Sequence, residues 1–327
     1  MLDEKPLTRR EVLATTAVGS IAAIAGCTGD SGGDSDREDL FIQAGPDGTS
    51  FQAISAPFGD AIRSYSEDPA IDATVSSSGG GVENVRVLFE GGTDVATTGG
   101  VSSYNAMNGL NPFEEEKSVR WLARAALGQR FYVVREDSDI EEISDLDGAE
   151  VAPGPAGSGG FTQHEEIMDT LDLDVENRAL EHSEGGSALR DGQVDAWYIF
   201  NGSDFQSSWT TADLRLLSFT DAEIEEYQEV SPATEAAVVD DEWVDGMEGE
   251  ATVVGINTGW VVREEMDDEV AYELTRIVGE HPEDIANNFI GAQFLDAEFA
   301  YNEFFTDEVG LEYHEGALEY FDDAGVL

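Results

Sequence analysis

Residues Ile71-Asp72-Ala73-Thr74-Val75, then Ser76-Ser77-Ser78-Gly79-Gly80-Gly81, then Val82-Glu83-Asn84-Val85-Arg86-Val87-Leu88-Phe89 decide the fold class. The first five read as a β-strand. Val82, Val85, Leu88 and Phe89 recur at the spacing that lines one face of a helix. A glycine-rich turn joins the two. When a strand feeds a helix through such a turn in a parallel sheet, the helix N-terminus lies beyond the strand's carboxyl end with its first N–H groups unpaired.

The same grammar extends in both directions. Upstream, Leu40-Phe41-Ile42-Gln43-Ala44 reads as a strand, Gly45-Pro46-Asp47-Gly48 as a turn, and Phe51, Ile54, Phe58 and Ile62 as a helix face. Downstream, Asp94 to Thr98 is a strand, Gly99-Gly100 a turn, and Val101 to Asn108 a short helix. Strands are expected at Phe131 to Arg135, Val151-Ala152, Arg178 to Glu181, Ala196 to Phe200, Leu214 to Ser218 and Thr252 to Arg263. Helices are expected at Thr162 to Leu171, Gly186 to Asp191, Ala222 to Val230, and Asp268 to Phe289 with a break at Pro282. Alternating strands and helices predict an α/β protein with parallel sheets. No internal repeat of fixed period is present.

The chain has 327 residues, of which 41% are apolar, enough for a substantial core. Seventy Asp and Glu face 14 Arg and two Lys, a formal charge of −54. A broad basic face for nucleic acid or anionic membrane is excluded on that balance. One cysteine precludes an intramolecular disulfide and a cysteine-rich metal site, and four scattered histidines argue against a His-rich one, so neither a metal nor a cofactor is expected. At molar salt the Debye length falls to about 3 Å and self-repulsion is screened, so the composition reads as that of an extreme halophile.

The amino-terminal residues read as an export signal. Thr8-Arg9-Arg10-Glu11-Val12-Leu13 opens an apolar run that ends at Ile24-Ala25-Gly26-Cys27. The run is shorter than the ~20 residues that span a bilayer as a helix. The arginine pair resembles a Tat signal, and Ile-Ala-Gly-Cys resembles a lipobox, with Cys27 as the lipidated first mature residue. Residues 28–38 hold a stretch, Thr28 to Asp36, with no apolar side chain to pack, and behave as a linker spanning roughly 18 Å. The domain is therefore expected to be exported and held by lipid at the outer face of the cytoplasmic membrane. The signal peptide is neutral, so the mature chain keeps the whole −54.

Gly45 to Ser50, Ser76 to Gly81, Gly99 to Ser102 and Gly154 to Gly160 all fall at expected strand-to-helix turns. Together they can form an anion cradle of backbone N–H groups and hydroxyls, which lets an acidic protein hold a carboxylate without a basic patch. Each has a plainer reading as a tight turn. Thr49-x-x-Gln52 and Thr162-x-x-Glu165 also fit the capping-box pattern. The run Trp197-Tyr198-Ile199-Phe200 reads as sheet core more readily than as a ligand platform. Enzyme motifs fail: there is no Walker lysine, no zincin His pair and no Gly-x-Ser-x-Gly elbow in the mature chain. A hydrolase would need a triad assembled by folding, such as Ser158 with His182 and an Asp.

Gly45-x-x-Gly48-Thr49, Ser78-Gly79-Gly80-Gly81-Val82-Glu83-Asn84 with Asp94, Tyr104 to Gly109, Gly154 to Gly159, Leu189 to Tyr198, and His314 to Phe321 follow one another in an order that resembles the TAXI family of solute receptors for TRAP transporters. The resemblance spans nearly the whole mature chain, and Gly-Gly-x-Val-Glu-Asn is its most specific part. It implies an α/β, two-lobed type II periplasmic-binding-protein fold that closes on a small organic acid or amino acid, a glutamate-like ligand included. It further implies delivery to an ion-coupled membrane permease and no catalysis. The chain departs from the family pattern at Ser50-Phe51-Gln52, at Gly160, and at the acidic Val239 to Trp243.

On this reading the ligand-facing residues are Thr49, Ser50, Gly80, Gly81, Gly100, Ser102, Gly157, Ser158 and Gly159, with Tyr132 and Tyr198 as side walls, while Arg130 reads equally as a charge partner of the ligand and as a salt bridge to the acidic surface. Residues 39–128 with 251–327 are expected to form one lobe and 129–250 the other. Two alternatives stay open: the receptor of an ATP-driven importer, and, from another class, an exported lipid-anchored hydrolase.

Overall fold

The computed structural model describes residues 37–45, 49–286 and 289–327. The expected signal peptide, Cys27 and nearly all of the expected linker lie outside the described residues. Asp36–Leu327 forms one compact unit.

The elements run in the order β1 (Glu38–Gln43), α1 (Ser50–Tyr65), β2 (Ile71–Ser76), α2 (Gly81–Phe89), β3 (Val95–Gly99), α3 (Gly100–Met107), β4 (Val119–Arg135), β5 (Glu150–Ala152), α4 (Gly159–Thr170), β6 (Glu176–Asn177), α5 (His182–Arg190), β7 (Ala196–Phe200), α6 (Ser203–Trp209), β8 (Leu214–Leu216), α7 (Asp221–Val230), β9 (Thr234–Val239) and β10 (Ala251–Arg263). Four helices close the chain: α8 (Asp268–Glu280), α9 (Pro282–Ala286), α10 (Ala297–Ala300) and α11 (Glu315–Asp323). The break expected at Pro282 separates α8 from α9.

The strands are ordered β2-β1-β3-β10-β4-β7-β5-β6, with β8 also on β4 and β9 also on β10. The flanks are parallel: β1 pairs with β2 and β3, and β5 with β6 and β7. The centre is not. β10 runs antiparallel to β3, β4 and β9, and β4 antiparallel to β7 and β8. The expectation of purely parallel sheets is thus corrected to a mixed sheet. The cause is β4, a 17-residue strand of which the sequence pattern had revealed only the last five residues, Phe131 to Arg135. Arg120, Arg124, Gln129 and Arg130 interrupt its apolar run, and β9 also escaped the reading.

Apolar side chains sort into separate cores along this β4/β10 ribbon. One core draws on Leu40 to Ala126 and Trp260 to Phe321. The others draw on Leu127 to Val254 and cover the two faces of the β4–β7–β5 segment. Between them the β4/β10 register shifts at Thr258/Gly259 and Trp260/Val261. A Cβ at Gly259 would collide with the Ala123 carbonyl oxygen, so the close approach of the two strands requires glycine there. Polar groups hold the same zone. Arg124 Nε donates to the Phe299 carbonyl (2.8 Å), its guanidinium lies 3.9 Å from the Phe299 ring centroid, and Asn257 and Asn302 both donate to Glu235.

Candidate functional site

The glycine turns do arrive at helix N-termini. Thr49 is the N-cap of α1, its hydroxyl accepting from the Gln52 N–H, and Ser50 opens the helix. Gly80 caps α2 with φ +121°, a conformation that a residue with a Cβ rarely adopts, and Gly81 follows. Around it the Ser-Gly-Gly-Gly-Val-Glu-Asn segment is tied by its own side chains. Glu83 accepts from the Gly79 N–H, Ser78 accepts from the Gly80 N–H, and buried Asn84 donates to the Ala44 and Thr97 carbonyls. One asparagine thereby joins the carboxyl ends of β1 and β3 to α2. Gly100 opens α3 and is buried against the Ala233 carbonyl, with Ser102 in the first turn, half-buried.

These turns are mutual neighbours. A Cβ on Gly81 would stand 2.8 Å from Thr98 Oγ1 and 3.2 Å from the Phe51 ring, and one on Gly45 would stand 2.9 Å from Thr49 Oγ1. Three buried polar atoms in this group have no hydrogen-bond partner among the described residues: Gln52 Oε1 in the first turn of α1, Asn84 Oδ1 in α2, and Thr98 Oγ1 beside the start of α2.

A second group gathers at the Gly154–Gly160 loop. Ser158 is the N-cap of α4, accepting from the Phe161 N–H at 3.2 Å, with exposed Gly157 (φ +80°) before it and Gly159 after. The helix begins three residues earlier than expected, so Ser158 and not Thr162 provides the cap. Arg130, on β4, reaches this helix start: a Cβ on Gly160 would lie 2.6 Å from its Nη1. That nitrogen is buried without an acceptor. On the other side His182, the first residue of α5, would meet a Cβ on Gly154 at 2.6 Å and has a buried Nδ1 without a partner. Phe200, at the end of β7, touches both: the Arg130 guanidinium lies 5.7 Å and the His182 ring 5.6 Å from its centroid. Burial and the Arg130 charge together push the His182 pKa below its ordinary value.

The sheet register relates the two groups. On β10, Thr258 pairs with Gly99 and Val254 with Arg130. Four residues of strand separate them, about 13 Å at ~3.3 Å per residue.

Tyr132 and Tyr198 lie elsewhere. Both are fully buried behind α4, Tyr132 hydrogen-bonded to His164 Nδ1 (2.8 Å) and Tyr198 donating to Gln163 (2.9 Å). The exposed aromatic at this end of the sheet is Phe200, 37% exposed. Neither Ser158 nor His182 is hydrogen-bonded to the other: the Ser158 hydroxyl caps its helix and His182 Nδ1 is unpartnered. Among the described residues no group of three or more His, Cys, Asp or Glu is set to hold a metal ion. A cavity of about 1200 Å³ at the β8 edge shares no residue with these turns, and two of its arginines are spent on backbone carbonyls, Arg135 on Leu189 and Val194, Arg215 on Ser138 and Ile140.

Residues 42–325 match the model of the NMT1-like family, which includes every turn just described. The chain belongs to the NMT1-like family. Among solved structures, a TctC solute-binding protein from Polaromonas is similar over 90% of this chain and 99% of its own, at 13% identity and a TM-score of 0.51. MatC from Rhodopseudomonas palustris with bound malate is similar over 87% of this chain and 98% of its own, at 12% identity and a TM-score of 0.50. These likenesses establish the fold: this NMT1-like chain has the mixed α/β, two-lobed architecture of periplasmic binding proteins.

In this fold the glycine turns were legible because glycine and small hydroxyl residues between a strand and a helix announce an N-terminus. Thr98 and Phe200 were not, since each ends a strand whose other residues are core. His182 has no local signal either, and only folding sets it beside Arg130.

Proposed function

We propose that this NMT1-like chain is an extracytoplasmic solute-binding receptor that captures a small organic acid or amino acid. On this proposal the lobes are residues 39–128 with 251–327, and 129–250, and the solute lies between the glycine turns of the two. Thr49, Ser50, Gly80, Gly81, Gly100 and Ser102 contribute from one side, and Gly157, Ser158 and Gly159 from the other. The observation that carries the reading is the set of buried polar atoms left without partners at these turns: Gln52 Oε1, Asn84 Oδ1 and Thr98 Oγ1 in one group, Arg130 Nη1 and His182 Nδ1 in the other. Buried polar atoms are normally satisfied, and those left open beside these turns suit a bound polar solute. Tyr132 and Tyr198 then act by shaping the sheet under α4, while Phe200 supplies the apolar wall.

The TAXI resemblance supports a TRAP-type ion-coupled permease as the receiving partner, with closure driven by contacts that one solute makes to both lobes. It agrees with a Tat-exported lipoprotein attached through Cys27 at the outer face of the membrane. Among the described residues no helix is long and apolar enough to cross a membrane.

Mass spectrometry of small molecules released from the native protein tests the receptor reading. A stoichiometric organic acid or amino acid is the expected result, and turnover of an ester, peptide or glycan panel would replace it with the hydrolase. Intact mass tests the anchor: the mature chain should begin at Cys27 with a diacylglyceryl adduct, because one acyl chain alone gives only marginal membrane binding.

A further inference from the structure

The Gly154–Gly160 loop is flanked by two basic side chains, each with a buried nitrogen that has no hydrogen-bond partner among the described residues. The mature chain carries 67 acidic residues against 13 basic ones. Most arginines of the described residues nonetheless have acceptors: Arg120, Arg124, Arg178 and Arg276 pair with carboxylates, and Arg86 and Arg263 bond carbonyls. Arg130 is different. No carboxylate pairs with it among the described residues, its Nη1 is buried without an acceptor, and it presses on Gly160 in the first turn of α4. The positive end of a 12-residue helix dipole is an unfavourable place for a cation unless an anion joins it. His182 repeats the pattern as the first residue of α5, with Nδ1 buried and unpartnered.

We propose that Arg130 and His182 grip one anionic group of the bound solute over the Gly154–Gly160 loop, with His182 in its protonated form and Phe200 as the apolar wall. The inference rests on the receptor reading and adds the solute's charge at this end and a proton taken up with it. Arg130 supplies a permanent charge and an open N–H. His182 supplies Nδ1–H as a donor, and in the protonated form a positive charge as well.

The linkage has a definite sign. The groups that face His182 are Arg130 on β4, Asp204 on α6 and Glu181 beside it on its own chain. Burial and, after it, the Arg130 charge disfavour the imidazolium in the free protein, and the two carboxylates favour it more weakly. An anion arriving between Arg130 and His182 offsets the Arg130 charge and raises the His182 pKa. Binding therefore takes up a proton, and affinity rises as pH falls, by up to tenfold per pH unit between the free and bound pKa values. It levels off on either side of that window.

Isothermal titration calorimetry on the wild-type lipid-free receptor tests this. The probes are a panel of carboxylates (malate, glutamate, 2-oxoglutarate, lactate) and neutral solutes with no anionic group (glycerol, glucose) in molar KCl. Each binder is measured at pH 6, 7 and 8 in two buffers of different ionisation heat, which counts protons without any mutation. The expected result is a carboxylate that binds with net proton uptake and roughly tenfold or more tighter at pH 6 than at pH 8. His182→Gln should abolish both the uptake and the pH slope, and Arg130→Gln should weaken binding at every pH by tenfold or more. Carboxylate binding with no proton uptake and no slope overturns the His182 part. Binding of neutral solutes alone overturns the anion grip and leaves the receptor reading standing. A protein stripped of endogenous ligand that binds nothing on the panel, while turning over a hydrolase substrate, overturns both.

Discussion

At the scale of single residues, the hydroxyls of the glycine turns have one role visible and one proposed. Ser158 Oγ accepts from the Phe161 N–H, which spends a lone pair but leaves its proton to donate to a solute. Ser158→Ala is therefore expected to lower apo stability by about 1 kcal/mol, the usual loss for an N-cap. It should also weaken solute binding by about tenfold, on the order of one hydrogen bond to a charged group. Ser158→Thr should restore both in thermal melts and calorimetry. His164 makes a different case, because its ring is fully buried between Tyr132 and Asn177. Burial pushes its pKa down to about 4, against the smaller opposing effect of the Asn177 hydrogen bond. A group held neutral in the folded state stabilises fully above its unfolded pKa near 6.5. That contribution is lost as pH falls towards 4, because the unfolded chain binds the proton first. Relative to His164→Gln, the wild type should lose stability between pH 6.5 and 4, on the order of 3 kcal/mol at the acid end. Denaturant melts of the pair at pH 7, 5.5 and 4 measure the difference, and the comparison cancels the carboxylate titrations common to both chains.

At the scale of elements, the β4/β10 ribbon decides how the cores relate, and its centre is polar. Arg124, Asn257, Glu235 and Asn302 form one connected group there, with Arg124 also stacked on Phe299. Arg124→Ala should cost about 2 to 3 kcal/mol, since it removes the cation from a partly buried carboxylate and opens space under Phe299. Urea melts check the value, and an altered m-value would mark separate melting of the cores. This ribbon is also where sequence reading stopped. β1, β2 and β3 with their helices were legible because each is a short apolar strand followed by a glycine turn and a periodic helix. β4 was legible only at Phe131 to Arg135. Its other half carries arginines whose partners, Glu264, Glu312 and Glu235, come from distant segments. The two flanks of the sheet look parallel from sequence because they are local βαβ units. The antiparallel centre is made by β10, which returns to β3 from more than 150 residues away, and no window of sequence contains that pairing. The site divides the same way: turns that begin helices were readable, and the Arg130–His182–Phe200 grouping was not, since β4, α5 and β7 meet only in the folded chain.

At the scale of the whole molecule, charge dominates. The described ion pairs engage few of the carboxylates, and most join side chains with an exposed acidic partner, each worth little. Two salt effects therefore compete. Added salt weakens those pairs, which lowers stability, and it screens the mutual repulsion of a surplus of 54 negative charges, which raises it. The second effect wins because repulsion involves every carboxylate and the pairs involve only a few. The melting temperature of the protein is expected to climb from 0.1 M KCl, where the Debye length is about 10 Å, to 1 M, where it is about 3 Å, and to flatten beyond. Helix α7 offers an internal control, since Glu225, Glu226 and Glu229 are exposed on ten residues of helix. Changing all three to Gln should raise the melting temperature at 0.1 M and leave it nearly unchanged at 3 M, making the salt dependence shallower. Because KCl and choline chloride screen alike at equal ionic strength, both salts should give the same curve. A melting temperature that is flat from 0.1 M upward, or a triple variant with an undiminished slope, would show that repulsion does not govern this fold.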